Sequence, residues 1–268
     1  MATILKSLNG YGFDAVRLGG KAPAYYIHPH NLLDNSDFTN PVNQRGRTGY
    51  FGNIYTIDRW FLWTSDATGS VSVEENGVAL NPQTAERIAL AQRFPKGYLS
   101  GVAYTFAYCD NSGTITINNN PVITSDEGFD YVEIVCNAWK KIAWAVLYEG
   151  TYTADTLPPY VPKGYAAELT ECLRYYQAVS SASWTTCARP LGSAEFLVNL
   201  SATSPMRTVP QIAGKFKLFL TGGWTEELAP VSIDLTVCGY AAKIATQADA
   251  EIGKAYIVMG TYELIADL

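Results

Sequence analysis

Apolar and polar residues alternate along this chain in short runs that are separated by turn residues. Between residues 31 and 162 the turns include Asn76-Gly77 and the stretch Asp110–Gly113. Alternation with a period of two is typical of strands with one buried face, and such turns join antiparallel neighbours. The pattern predicts strands in six segments, which are Ser70–Leu80, Arg87–Phe94, Gly101–Ala107, Thr114–Ile117, Tyr131–Val135 and Lys141–Tyr148. Short strands at this spacing, with little helix between them, predict an all-β sandwich of the jelly-roll type.

The second half of the chain begins with the one convincing helical pattern. Leu169, Cys172, Leu173 and Tyr176 recur at helical spacing, which predicts a helix over Tyr165–Ala178. A second, smaller β-domain is predicted after it, with strands at Ala194–Leu200, Lys215–Leu220, Ser232–Val237 and Ala255–Leu264.

The predicted domain organisation has four parts. Residues 1–30 are interrupted by glycine and proline and are too short to bury a core of their own. We therefore expect this segment to oligomerise or to attach to a neighbouring domain, with a flexible leader as the alternative. The jelly-roll sandwich follows over 31–162, the helix and a linker over 163–183, and the C-terminal β-domain over 184–268.

Composition excludes several functional classes. Charged residues make up 16% of the chain and the net charge is −6, with no cluster of lysine and arginine that would neutralise phosphates. We therefore expect no nucleic-acid partner. The five cysteines are widely spaced and odd in number, which argues against a disulfide framework and against a zinc site. No segment has the apolar length of a membrane span or of a signal peptide, so we expect no membrane partner and synthesis in a cytoplasm.

No catalytic constellation can be recognised in the sequence. There is no GxSxG elbow and no phosphate-binding loop, and the spacing of the many carboxylates does not pair any two across a cleft. We therefore expect a binding protein and not an enzyme. A polysaccharide depolymerase that uses an unseen carboxylate pair stays open as an alternative.

The two histidines of the chain are His28 and His30, two positions apart in an extended segment. Side chains at this spacing point to the same side, and three copies on a threefold axis would offer six nitrogens to an octahedral metal ion. Such an inter-chain metal ion is the one cofactor that the sequence suggests. Two exposed linker histidines are the alternative.

Eighteen tyrosines and six tryptophans are the unusual feature of the composition. Aromatic rings pack sheets, but they also form contact surfaces at low entropic cost and stack on the apolar faces of sugars. Rings in loops and turns are the candidates for ligand binding, while Trp60 is expected in the core. The candidates are Tyr50, Phe51 and Tyr55 in a glycine-rich loop, Trp184 after a serine-rich stretch, and Trp224 in a glycine turn.

Several stretches, in order along the chain, resemble bacteriophage tail proteins. The residues DAVRLGGK followed by Tyr25-Tyr26 resemble the DAxxLGGKxxxxY segment of tail-fibre and receptor-binding proteins. Asn31–Trp60 resembles the NLLxNSxF…PVNQRG…YTIDRW opening of a sandwich module in tail proteins, which is itself similar to carbohydrate-binding jelly rolls. Glu171–Gln177 is similar to the CQRYY helix of tail fibres, and Pro205–Pro210 is similar to their PMRxxPT strand.

This resemblance implies a homotrimeric component of a virion tail tip that recognises a bacterial surface saccharide and contacts other tail proteins. It also fits the absence of a signal peptide, because virions assemble in the host cytoplasm. The resemblance transfers neither catalytic nor sugar-contacting residues to this chain. A tail, baseplate or decoration subunit without receptor contact is the structural alternative.

Overall fold

The computed structural model describes residues 29–190, 195–200, 202–220, 223–236, 239–245 and 256–266. Within these residues the protein is all-β, as predicted, with eighteen strands and one helix. The chain divides into two compact units. The first contains the residues up to 41 and Arg47–Tyr165, and the second contains Val42–Gly46 and Ala166–Leu268. The predicted oligomerising segment 1–30 lies outside the described residues except for its last two positions.

The first unit is built from eleven strands, most of which were predicted from the alternating pattern. They are β1 (Gly49–Phe51), β2 (Ile54–Tyr55), β3 (Trp60–Thr64), β4 (Ser70–Glu74), β5 (Gly77–Asn81), β6 (Ile88–Pro95), β7 (Tyr104–Asp110), β8 (Ile115–Asn118), β9 (Ile123–Thr124), β10 (Phe129–Cys136) and β11 (Lys140–Glu149). A six-stranded sheet has the order β1-β4-β5-β11-β7-β8, and a five-stranded sheet has the order β2-β3-β6-β10-β9. Strands β4 and β5 form the predicted hairpin, although its turn is Glu75-Asn76 because Glu74 already pairs with Gly77.

One hydrophobic core lies between the two sheets of the first unit. The five-stranded sheet contributes alternate residues such as Trp60, Leu62 and Leu90, and the six-stranded sheet contributes residues such as Val78 and Leu147. All five are fully buried. Burial of apolar surface between two such sheets stabilises them by about 25 cal/mol for each Å² that is buried.

The other face of the six-stranded sheet is also covered within the first unit. Val146 and Tyr148 of β11 point to this face and form a small cluster with Leu157. The ring of Tyr160 stacks on Trp144, with the centroids 4.9 Å apart and the planes 8° apart. The proline-rich segment after β11 therefore packs on the sheet.

The segment that precedes β1 is irregular. It runs along β11, where the Leu32 amide donates to the Leu147 carbonyl (3.1 Å) and the Phe38 amide donates to the Ala143 carbonyl (2.9 Å). Hydrogen bonds to side chains replace a regular strand ladder here, because an irregular backbone leaves N–H and C=O groups that need other partners.

Asn31 is the first of these side chains, and it makes four hydrogen bonds. Its Nδ2 donates to the Ser36 hydroxyl (2.9 Å) and to the Ala145 carbonyl (3.2 Å). Its Oδ1 accepts from the amides of Leu33 (3.2 Å) and Leu147 (2.9 Å). The side chain thus joins the irregular segment to β11.

Gln92 and Arg59 hold the same segment to the five-stranded sheet. Gln92 bonds the backbone of Asp34 twice, accepting from its amide (2.9 Å) and donating to its carbonyl (2.7 Å). Arg59 Nε donates to the Asp34 carboxylate at 3.0 Å, and the Trp60 indole donates to the Asn35 carbonyl at 2.8 Å. The polar residues of the NLLDNSDF and IDRW stretches therefore have a structural role.

The second unit contains one sheet of seven strands. They are β12 (Tyr176–Pro190), β13 (Glu195–Leu200), β14 (Gln211–Leu220), β15 (Gly223–Trp224), β16 (Pro230–Thr236), β17 (Gly239–Ala245) and β18 (Tyr256–Ile265). Their order is β15-β14-β18-β12-β13-β17-β16, with every pair antiparallel. One face carries a core that includes Phe196, Phe216 and Leu264.

The helix, α1 (Tyr165–Cys172), is shorter than predicted. The prediction is wrong beyond Cys172, because the chain turns there and enters β12 at Tyr176, which pairs with Ile265 of β18. The helical spacing of apolar residues therefore continued by coincidence into a strand, and tertiary pairing determined the structure. Residues 176–183, which the sequence assigned to the end of the helix and to the linker after it, belong to β12.

The stretches Glu171–Gln177 and Pro205–Pro210 of the second unit meet in space around Gln177. This buried side chain donates to the carbonyls of Leu173 (2.9 Å) and Ser204 (2.7 Å) and accepts from the Thr203 amide (2.8 Å). The Met206 sulfur lies 3.0 Å from its amide nitrogen. The glutamine thus joins the start of β12 to the loop before β14.

Candidate functional site

The outer face of the five-stranded sheet carries aromatic and charged side chains where the inner face carries the core. On β3, Phe61 and Trp63 point outward and alternate with Trp60 and Leu62, which point inward. Trp63 is opposite Ala89 in the register with β6. Small residues on the central strand leave room for the large rings of the neighbouring strands to lie across it.

Five rings form a continuous layer on this face, which we call the aromatic platform: Tyr55, Phe61, Trp63, Phe129 and Tyr131. The ring centroids of Tyr55 and Phe61 are 5.1 Å apart, and those of Phe61 and Trp63 are 5.4 Å apart. Trp63 contacts Tyr131 edge to face at 4.8 Å, and Phe129 lies 6.0 Å from Tyr131. These distances lie within the usual range for attractive ring pairs.

Arg93 lies at the centre of the platform and fixes its rings. Its guanidinium carbon is 3.9 Å from the centroid of Phe61, 4.5 Å from that of Phe129 and 5.0 Å from that of Trp63. Cation–π contacts of this kind contribute about 0.5–1 kcal/mol each at exposed sites. The platform is therefore a preorganised surface and not a set of independent rings.

A pocket of about 350 Å³ lies at one end of the platform. Trp63 and Tyr131 form its aromatic wall, and Arg87 and Glu133 line it as an ion pair. Glu133 is opposite Ala91 in the register of β10 with β6, and Arg87, which directly precedes β6, reaches it with its long side chain. The volume is within the range of small-molecule sites.

The remaining lining residues add uncharged hydrogen-bonding groups. They are Asn53, whose Oδ1 accepts from the Thr64 amide at 2.8 Å, and Ser65; Thr64 also lines the pocket, but its hydroxyl is buried. Burial, and to a smaller extent the Glu133 carboxylate, raises the pKa of Tyr131. Its hydroxyl therefore stays protonated at neutral pH and can donate a hydrogen bond. Aromatic faces beside hydroxyl, amide and charged groups suit a ligand that is apolar on one face and hydroxylated at its edge.

The structure separates the ring candidates of the glycine-rich loop. Tyr50 is 2% exposed, so its predicted place on a contact surface is wrong: it lies on β1, where alternation turns it toward the interior. Phe51, the next residue, is 63% exposed and stands on the edge strand of the six-stranded sheet. Tyr55 is half-buried and belongs to the platform.

The other candidates are two tryptophans of the second unit and the two histidines of the N-terminal segment. Trp224 is half-buried and packs edge to face on Phe219 at 5.3 Å. The side chain of Trp184 and the whole of His28 lie outside the described residues, whereas His30 is exposed. Among the described residues, no group of three or more histidine, cysteine, aspartate or glutamate side chains is placed to hold a metal ion. The inter-chain metal ion stays a prediction.

Sequence reasoning missed the residues that form the pocket. Trp63, Arg87, Tyr131 and Glu133 were not among the candidates from the sequence. A signal was present in Trp60–Trp63, where a period of two places alternate rings on opposite faces. The Arg87–Glu133 pair had no local signal, because strand pairing brings together residues 46 positions apart.

Comparison with protein families, with curated proteins and with solved structures gives no match for this chain. In the part of the chain that the structure describes, no helix combines the length and the apolar character needed to cross a membrane.

Proposed function

We propose that the protein is a receptor-binding protein of a phage tail or a tail-like particle, and that it binds a bacterial surface saccharide at the end of the aromatic platform. The observation that carries the saccharide proposal is the pocket of Trp63, Tyr131, Arg87 and Glu133. The resemblance of four stretches to tail proteins supports the virion location and the partnership with other tail proteins.

The pocket has the two kinds of contact that a sugar ring requires. The rings of Trp63 and Tyr131 offer apolar area to the C–H face of a pyranose. Arg87 and Glu133 offer directional partners to its hydroxyls, and hydrogen bonds to charged groups are stronger than those between neutral groups. The mechanism is binding alone, with no bond made or broken.

Weak binding at one pocket is sufficient if several pockets act together. The proposed assembly is a homotrimer, and many such trimers on a particle convert a weak single-site affinity into tight attachment. We propose that residues 1–30 hold the trimer together and that the first unit is a jelly-roll sandwich.

The test is binding of the purified protein to bacterial cells of a strain panel and to their extracted surface polysaccharides. Trp63→Ala removes a ring from the pocket, and Trp139→Ala is the matched control because Trp139 is 58% exposed and does not line the pocket. Truncating a central aromatic contact typically costs 2 kcal/mol or more, so we expect Trp63→Ala to weaken binding about 30-fold and Trp139→Ala to leave it unchanged.

Three results would contradict the proposal in different ways. Binding that survives Trp63→Ala but is lost in Phe51→Ala would move the site to the edge strand that carries Phe51, one of the candidates from the sequence. A folded oligomer that binds no strain, in particles that still assemble, would indicate a structural tail subunit. Release of reducing sugar ends from a polysaccharide would indicate a depolymerase.

A further inference from the structure

We infer that Glu133 and Arg87 make the pocket selective for an uncharged pyranose with neighbouring free hydroxyls, and that Glu133 excludes sugar units that carry a carboxylate or phosphate. This inference rests on the proposed function, since it specifies the ligand of the same pocket. It assigns a specificity-determining role to an ion pair between Arg87, which directly precedes β6, and Glu133 of β10.

The charges of the pocket are the first argument. Of the side chains that line it, two are charged, Arg87 and Glu133, and each is the other's partner. An anionic ligand would have to take Arg87 from Glu133 and would then lie beside an uncompensated carboxylate. Like charges in a partly desolvated site repel, so the balanced pair favours a neutral ligand.

The unequal exposure of the two partners is the second argument. The Arg87 side chain is 52% exposed, whereas the Glu133 side chain is 11% exposed. Arg87 therefore presents N–H groups to the pocket beyond the one that reaches Glu133, because a guanidinium has five. The glutamate is the more buried member of the pair, and the arginine is the more exposed member.

The third argument is an acceptor that lacks a donor. Glu133 Oε1 accepts from Arg87, but no donor among the described residues reaches the buried Oε2. The terminal torsion of a glutamate is soft, so a ligand hydroxyl can turn this oxygen toward the pocket and donate to it. A hydroxyl both donates and accepts, so two adjacent hydroxyls can bond Glu133 and Arg87 together; a carboxylate cannot donate.

The experiment compares matched glycosides by saturation-transfer NMR titration with the full-length protein. The neutral probes are the methyl glycosides of glucose and galactose. The anionic probes, called uronides here, are the methyl glycosides of glucuronic and galacturonic acid, which carry a free carboxylate at C6. We expect at least one neutral glycoside to bind about tenfold or more tightly than its uronide. Glu133→Gln keeps the shape of the side chain and removes its charge. It should lower the ratio of glycoside affinity to uronide affinity by about tenfold. Glu75→Gln, in the exposed β4–β5 turn, should not change it.

The outcomes distinguish this inference from the proposed function. Equal binding of glycoside and uronide, or a ratio that Glu133→Gln leaves unchanged, would overturn the selectivity. If Trp63→Ala still weakened binding about 30-fold, the saccharide site would stand. If no glycoside bound the wild-type protein at millimolar concentration, both would fail. A thermal unfolding curve for Glu133→Gln that overlays the wild-type curve shows that any change is local to the pocket.

Discussion

Asn31 gives the sharpest test of how the first unit is held together. Asn31→Ala removes four hydrogen bonds, two of which satisfy the backbone amides of Leu33 and Leu147. Each bond contributes about 1 kcal/mol net, and buried groups left without a partner cost more, so we expect a loss of about 4 kcal/mol in the free energy of unfolding. For comparison, Asn120→Ala changes an exposed side chain and should cost less than about 0.5 kcal/mol.

Urea unfolding followed by tryptophan emission is the suitable assay. Trp60, Trp63, Trp139 and Trp144, four of the six tryptophans, belong to the first unit, so the signal mainly reports its unfolding. With a slope of about 3 kcal/mol per molar urea, a loss of 4 kcal/mol lowers the midpoint by about 1.3 M. If Asn31→Ala unfolded within about 0.2 M of Asn120→Ala, the irregular segment would not depend on this side chain and the reasoning would be refuted.

Two further predictions concern the second unit and alkaline stability. Gln177→Ala should destabilise the second unit by about 3 kcal/mol, because it leaves the Ser204 carbonyl and the Thr203 amide without their side-chain partner. Faster hydrogen exchange of the β12 amides would measure this loss, and unchanged protection of those amides would contradict the prediction. Burial, with a smaller contribution from Tyr152, raises the pKa of Tyr148 from 10.0 to about 12. The unfolded chain therefore ionises first, and this contribution to stability is complete below pH 10 and is lost as the pH rises toward 12. Tyr148→Phe should flatten the fall in urea midpoint over that window, and parallel curves for both proteins would show that Tyr148 does not contribute.

The strands of the sandwich could be predicted from the sequence because their signal is local. Alternation over Ser70–Leu80 fixes which residues face the core, and turn residues fix the ends. In Lys141–Tyr148 the strand was predicted but the facing was not, because an irregularity after Ile142 turns Ala145 and Leu147 toward the core. The helix was overextended for the opposite reason, since the strand character of Tyr176 comes from Ile265, a partner far along the chain.

The pocket could be predicted only in part, and the reason is geometric. Alternation on β3 was enough to separate Trp60 from Trp63, but the position of Glu133 beside Arg87 depends on the order of strands in the sheet. Tyr50 shows the reverse error. A glycine-rich context suggested an exposed loop, whereas three residues of pairing with β4 turned the ring inward.

The alternation on β3 and β10 makes the first unit a natural scaffold for changing recognition. Trp63 and Tyr131 project outward, while Leu62 and Val132, their neighbours along the chain, are buried in the core. A substitution at an outward position alters the chemistry of the pocket without opening a cavity beneath it. Libraries randomised at the outward positions of these two strands should therefore yield folded proteins with new binding preferences, while variation at the inward positions should mostly yield unfolded ones.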